Sequence, residues 1–159
     1  MGEDRPGRGP EGGARLIELR AIKGLDSALD VLMQAAEREG HRFVRRLVDD
    51  WRAGANRFNR PGELLFGAYV DGRLVAVGGL NRDPYADDAR TGRVRHVYVL
   101  PEARRSGVGQ ALLQRIVTEA SPAFEVLRLR TTTQEGAAFY AALGFTRTGE
   151  ADATHRMAL

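Results

Sequence analysis

Arg104-Arg105-Ser106-Gly107-Val108-Gly109-Gln110-Ala111 follows a β-branched run from Val94 to Leu100 that Pro101 closes, and it opens an apolar-periodic segment. A strand that runs into a basic, glycine-containing turn and then a helix start makes an anion site. The turn aims consecutive backbone N–H groups at one point and the helix N-terminus adds its dipole. The glycines admit an oxyanion where a Cβ would obstruct it. A Walker loop would need a Lys before Ser or Thr, and the only lysine is Lys23. A dinucleotide fingerprint would need a third glycine, which Gly107-Val108-Gly109-Gln110-Ala111-Leu112 lacks.

Outward from this turn, the preceding run reads as a strand and the following segment as a helix from about Gly107 to Ala120, with Val108, Ala111, Leu112 and Ile116 on its core face. Upstream, Leu64 to Val70 and Arg73 to Leu80 flank Asp71-Gly72, the turn chemistry of a tight hairpin. Leu16 to Arg20 reads as a first strand, and two helices follow over about Asp26 to Glu39 and Arg42 to Trp51. Downstream come a strand from Val126 to Thr131 and a helix that Thr133 can cap and Gly144 can stop. Short strands near Phe145 to Thr148 and Arg156 to Leu159 close the chain. Residues 1 to 14 are Gly, Pro and charge with almost nothing to bury, which predicts a disordered tail before one domain over 15 to 159.

With 159 residues the chain fits a single domain, since domains commonly run about 100 to 150 residues. There is no cysteine, which excludes disulfides, thiolate metal sites and a Cys nucleophile. His41, His96 and His155 are too scattered for a local metal motif, so no metal is expected. No apolar run approaches the roughly 20 residues of a membrane span, and no secretory apolar segment opens the sequence, so the cytoplasm is the expected location. The net charge is +3, carried almost wholly by arginine, with acids interspersed. A nucleic-acid role is therefore not expected.

Arg-x-x-Gly-x-Gly after a strand that ends at Pro resembles the pyrophosphate loop of the GNAT superfamily of acyl-CoA-dependent N-acetyltransferases. Val97-Tyr98-Val99-Leu100-Pro101-Glu102 resembles that family's cofactor strand, and Ala137-Ala138-Phe139-Tyr140-Ala141-Ala142-Leu143-Gly144-Phe145 resembles its late helix-turn-strand signature. The resemblance implies an α/β fold: a mixed, mostly antiparallel sheet of about six to seven strands flanked by about four helices. In it, the strand ending at Leu100 and the strand near Val126 splay apart to hold acyl-CoA. It implies acetyl-CoA, or another short acyl-CoA, as donor and a small-molecule or peptide amine as acceptor, in a monomer or homodimer without nucleic acid or membrane. The backbone from Arg105 to Gln110, including Ser106, Gly107, Val108 and Gly109, would bind the pyrophosphate, with Arg104 or Arg105 adding charge. Main-chain groups of Val97 and Val99 would pair with the pantetheine arm, and Thr133 stands where the family often has an Asn on that arm.

By the same resemblance Tyr140 is the general acid for the departing thiolate. Its alternative is a packing tyrosine beside Phe139 and Phe145. Family members often carry a Glu at the start of the cofactor strand, but this chain has Arg93, which cannot act as a base. His96 is the candidate base by its reference pKa, with Glu63, Asp83 and His155 also available. Glu63, Asp83, Asp87 and Asp88 would draw a cationic amine to the acceptor pocket. A weakly catalytic CoA-binding regulatory module, and an RNA-associated basic protein, are the competing readings.

Overall fold

The computed structural model describes residues 16–159, so the expected tail lies outside the described residues. The elements run β1 (Ile17–Ala21), α1 (Ser27–Arg38), α2 (Phe43–Ala53), β2 (Leu64–Val70), β3 (Arg73–Arg82), β4 (Thr91–Val99), a 3-10 turn (Pro101–Ala103), α3 (Val108–Ala120), β5 (Val126–Leu129), α4 (Gln134–Ala142), β6 (Thr146–Arg147) and β7 (His155–Ala158). The seven strands form one sheet in the order β1-β2-β3-β4-β5-β7-β6, and every pairing is antiparallel except β4 with β5. This is the mixed, mostly antiparallel sheet with four helices that the resemblance implies. No helix of the described residues is long and apolar enough to cross a membrane.

Local chemistry explains the boundaries. Asp26 caps α1 by accepting from the Ala28 N–H at 2.9 Å, and Gly54 ends α2 in the left-handed region at φ 78°. Asp71 and Gly72 supply φ 53° and 77°, the two positive angles of a tight hairpin turn, so β2 and β3 pair from Val70↔Arg73 outward, with one register shift between Ala68 and Tyr69. The strand expected from Val126 to Thr131 stops at Leu129. There the Thr131 N–H turns to the Thr154 hydroxyl at 3.0 Å, and the Thr154 N–H takes the Leu129 carbonyl at 2.9 Å.

The sheet separates two packed layers. Gly78 and Gly79 admit them from opposite sides: a Cβ on Gly78 would sit 3.0 Å from Ile116 of α3, and one on Gly79 would sit 2.6 Å from Phe58, beyond α2. Leu112, Leu113 and Ile116 of α3 and Leu32, Leu47 and Val48 of α1 and α2 are fully buried in one continuous core. Leu113 was outside the core face read from spacing, which named the half-buried Ala111 instead.

Two irregularities in β4 shape its far edge. Val77 pairs with Tyr98 and Gly79 with Arg95, so the single residue Gly78 faces both His96 and Val97. This is a β-bulge, and His96 carries it at φ 59°, a left-handed angle uncommon outside glycine. The bulge breaks alternation: Arg95 and His96 both face α2, whereas simple alternation would group His96 with Val94. The second irregularity is the parting of β4 from β5. They pair only at Thr91↔Val126, Gly92↔Leu127 and Arg93↔Arg128, after which β4 continues to Val99 with no partner on that side.

Candidate active site

At the open end of this splay lies the turn from Arg104 to Gln110. Arg105 at φ 65° and Gly107 at φ 86° bend the backbone through the left-handed region, and Gly107 becomes the N-cap of α3. The Ser106 hydroxyl fixes the turn by donating to the Ala103 carbonyl at 2.6 Å. Among the described residues, the backbone N–H groups from Arg105 to Gln110 donate to no protein acceptor. The helix ladder begins only with the Ala111 N–H on the Gly107 carbonyl at 3.0 Å. A run of free donors at the positive end of a helix dipole fits a pyrophosphate. The two glycines serve different needs. A Cβ on Gly107 would meet nothing, so its requirement is the φ angle; one on Gly109 would press on Phe139 at 3.3 Å, so its requirement is the approach of α3 to α4.

The edge of β4 faces the same space. Leu100 donates to the Val75 carbonyl at 2.8 Å and Tyr98 is registered on Val77, so their main-chain groups point to β3. Val99, between them, points its N–H and carbonyl the other way, into the splay. Val97 follows the bulge in the same unpaired stretch. Arg104 is committed elsewhere: its guanidinium binds Glu39 at 2.6 and 2.9 Å, and its Nε donates to the Val99 carbonyl at 3.0 Å. Arg105 is left as the turn's arginine without a side-chain partner among the described residues. Tyr98 completes the cluster by donating to Glu39 at 2.6 Å. The hydrogen bonds from Arg104 and Tyr98 hold the Glu39 carboxyl down to about 2, while burial and Glu39 raise the Tyr98 phenol. Nothing in the sequence pattern joined residue 39 to residue 104.

Tyr140 lies on α4, its ring packed edge-on against Phe139 and Phe145 at 5.0 and 5.7 Å. The aromatic packing is present, and the hydroxyl has no hydrogen-bond partner among the described residues; the residue is 9% exposed. Burial raises its pKa and keeps it protonated. Thr133 caps α4, its hydroxyl accepting from the Gly136 N–H at 3.0 Å, which leaves its proton and one lone pair to offer a ligand.

The candidate bases are placed less favourably. His96 is buried, with Nδ1 at 3.0 Å from the Phe43 carbonyl. Nδ1 therefore donates, and Nε2 is an unpartnered acceptor in a buried position. Burial, aided by Arg95, pushes the imidazole down to about 4, so it is neutral at pH 7 and a weak base. His155 is 1% exposed, bonded through Nδ1 to the Thr154 hydroxyl, and burial lowers its pKa.

Three of the four acids expected to attract a cation, Glu63, Asp83 and Asp88, are also engaged. Both Glu63 oxygens accept backbone N–H groups, from Arg60 at 3.2 Å and Arg82 at 3.0 Å, beside the closed end of the splay. Asp88 accepts from the Arg90 N–H and the Thr91 hydroxyl, and Asp87 is exposed. Asp83 is buried beneath two guanidiniums, Arg128 Nε at 2.9 Å and Arg93 Nη1 at 3.3 Å. Burial opposes its charge, but Arg128, the Tyr85 N–H and Arg93 together hold its carboxyl below the usual value. The readable signal for this triad was an arginine inside each of two apolar strands, which demands a buried counter-charge.

The comparisons with known proteins agree with this geometry. The Acetyltransferase (GNAT) domain matches residues 61–147. A protein from Exiguobacterium sp. 255-15 classed as an acetyltransferase is 32% identical, covers 90% of this chain and 93% of its own, and superposes with a TM-score of 0.78. An acetyltransferase-class protein from Salmonella typhimurium, solved with acetyl-CoA, is 16% identical, covers 90% and 94%, and shares the fold at a TM-score of 0.65. An aminoglycoside N(6')-acetyltransferase type 1 from Klebsiella aerogenes is 38% identical over 58 residues; the match takes in 35% of this chain and 38% of that protein's length. The free amide run, the splayed strand pair and these likenesses converge: the chain belongs to the GNAT acetyltransferase family.

Proposed function

We propose that the protein transfers an acetyl group from acetyl-CoA to a primary amine by direct attack within a ternary complex. The observation that carries this reading is the continuity of two surfaces, the β4 edge that no strand pairs beyond Arg93, where Arg104 takes only the Val99 carbonyl, and the free N–H run from Arg105 to Gln110 at its end. Together they match an extended amide-bearing arm that ends in a pyrophosphate. When bound there, acetyl-CoA supplies an activated acyl group on a thiol leaving group.

The residues divide the remaining work. Ser106 to Gln110 and Arg105 hold the phosphates, and the main chain of Val97 and Val99 orients the arm. A β4 N–H facing the thioester oxygen stabilises the charge that develops as nitrogen attacks, a contribution of about 3 kcal/mol where such donors have been removed. The carbon–nitrogen bond forms, the carbon–sulfur bond breaks, and the Tyr140 hydroxyl gives its proton to the sulfur. The amine enters in its neutral form and sheds its N–H proton to solvent only after attack has made that nitrogen acidic; His96, buried and held down to about 4, takes no part in that transfer. The test is consumption of acetyl-CoA thioester with a panel of amines, read as released thiol. Amine-dependent release supports the reading, and tight acetyl-CoA binding without release under any amine overturns it in favour of a regulatory module.

A further inference from the structure

Arg93 and Arg128 form the last register pair before β4 and β5 part, so they stand at the apex of the splay. At about 3.3 Å per residue, that apex is about 20 Å along β4 from Val99 and the amide run. Arg95 shares their face of the sheet. The charge there is unbalanced. Arg93 and Arg128 divide one oxygen of one carboxylate, Asp83 Oδ2, while Arg95 has only a 3.4 Å contact with the Asn81 side chain. From α2, Arg46 and Asp50 face Arg95 with opposite signs and offset each other. Glu150 takes Arg128 Nη1 at 3.3 Å, but its side chain is 43% exposed.

Two guanidinium nitrogens are left over among the described residues, Arg128 Nη2 and the Nε of Arg156, its register partner on β7. Arg128 Nη2 is buried without any hydrogen-bond partner, on a side chain that is only 10% exposed. A guanidinium nitrogen in such a place carries a desolvation cost until an oxygen reaches it. Its Nε and Nη1 are pinned by Asp83 and Glu150, so Nη2 is held in orientation as well. Arg95, its charge disfavoured by burial and by Arg93, gains from the same incoming anion.

We infer that the amine acceptor carries an oxyanion, a carboxylate or a phosphate, which binds Arg128 and Arg95 at the apex of the splay. This rests on the acetyl-transfer reading for the word acceptor, but not for the anion site. It reverses the expectation of a cationic acceptor: Asp83 and Glu63 already accept from groups of the protein, and a polycation would meet the guanidiniums of Arg95 and Arg128.

The test is equilibrium binding to the full chain saturated with CoA, so that the amide run is already filled. N-acetylglycine and its neutral amide, N-acetylglycinamide, are compared by thermal stabilisation. Expected is a Kd about tenfold lower for N-acetylglycine, with the ratio falling toward one in Arg128→Gln. Because Arg128 also supports Asp83, Arg95→Gln repeats the test with a side chain that has only one weak contact. Inorganic phosphate that displaces N-acetylglycine assigns a phosphate-bearing acceptor, and failure to displace it assigns a carboxylate. Equal affinity for acid and amide, no binding of either, or a preference unchanged in both variants overturns the inference. Thiol release with amines, measured separately, reports whether acetyl transfer itself fails.

Discussion

Tyr140 is buried in an aromatic cluster while its hydroxyl touches no protein acceptor among the described residues, so packing and the proposed proton transfer reside in different atoms of one residue. Tyr140→Phe keeps the ring, and its expected effect is a fall in kcat of about a hundredfold with the KM for acetyl-CoA and the Tm nearly unchanged. Steady-state kinetics with thermal unfolding checks the split. Glu39 makes a second residue-scale prediction. Its carboxyl is held at about 2, well below the ordinary 4.5, so the stability it contributes is complete above about pH 4.5 and disappears as pH falls toward 2. Glu39→Gln lowers Tm at pH 7, and the gap to wild type closes along that acid limb; the partly exposed pair keeps it modest. Tyr140 was legible because its place is set by neighbours in the chain. The partner of Arg104 was not, since Glu39 meets it only through the packing of α1 on β4.

At the scale of elements, the turn between β4 and α3 depends on a left-handed residue at Gly107. Gly107→Ala meets no steric obstacle, so its cost is conformational, about 1 kcal/mol of stability. It is expected to weaken acetyl-CoA binding as well, by tilting the N–H groups of Gly107 and Val108; denaturant unfolding and titration read the two effects. The turn, the Asp71-Gly72 hairpin and the Thr133 cap could all be read from sequence because each rests on residues within a few positions. The bulge at His96 could not. It exists because Gly78, on another strand, leaves room for α3 while two residues of β4 face it. An alternation rule applied to β4 alone would therefore put His96 on the face of Val94.

Across the whole molecule, the Arg93-Asp83-Arg128 triad joins the β3–β4 loop to both strands of the splay where they part. Asp83→Asn removes the one buried carboxylate there among the described residues, leaving Arg93 only the Asp152 carbonyl and Arg128 only the partly exposed Glu150, and is expected to cost about 3 to 5 kcal/mol by urea unfolding. The order of elements and the mixed sheet were legible, since hydrophobic period and turn chemistry are local and the late signature followed in matching order. The acceptor end was not, because its charge is the sum over β4, β5, α2 and two loops, and acids that looked available are spent internally. The central claim is that acyl-CoA fills the splay from the open end. Amide hydrogen exchange with and without acetyl-CoA measures it directly. The account predicts strong protection of the amides from Arg105 to Gln110 together with Val99, and little change at α1 and α2. Protection confined to α1 and α2, or none at the Arg105 to Gln110 turn when acetyl-CoA is bound, would contradict it.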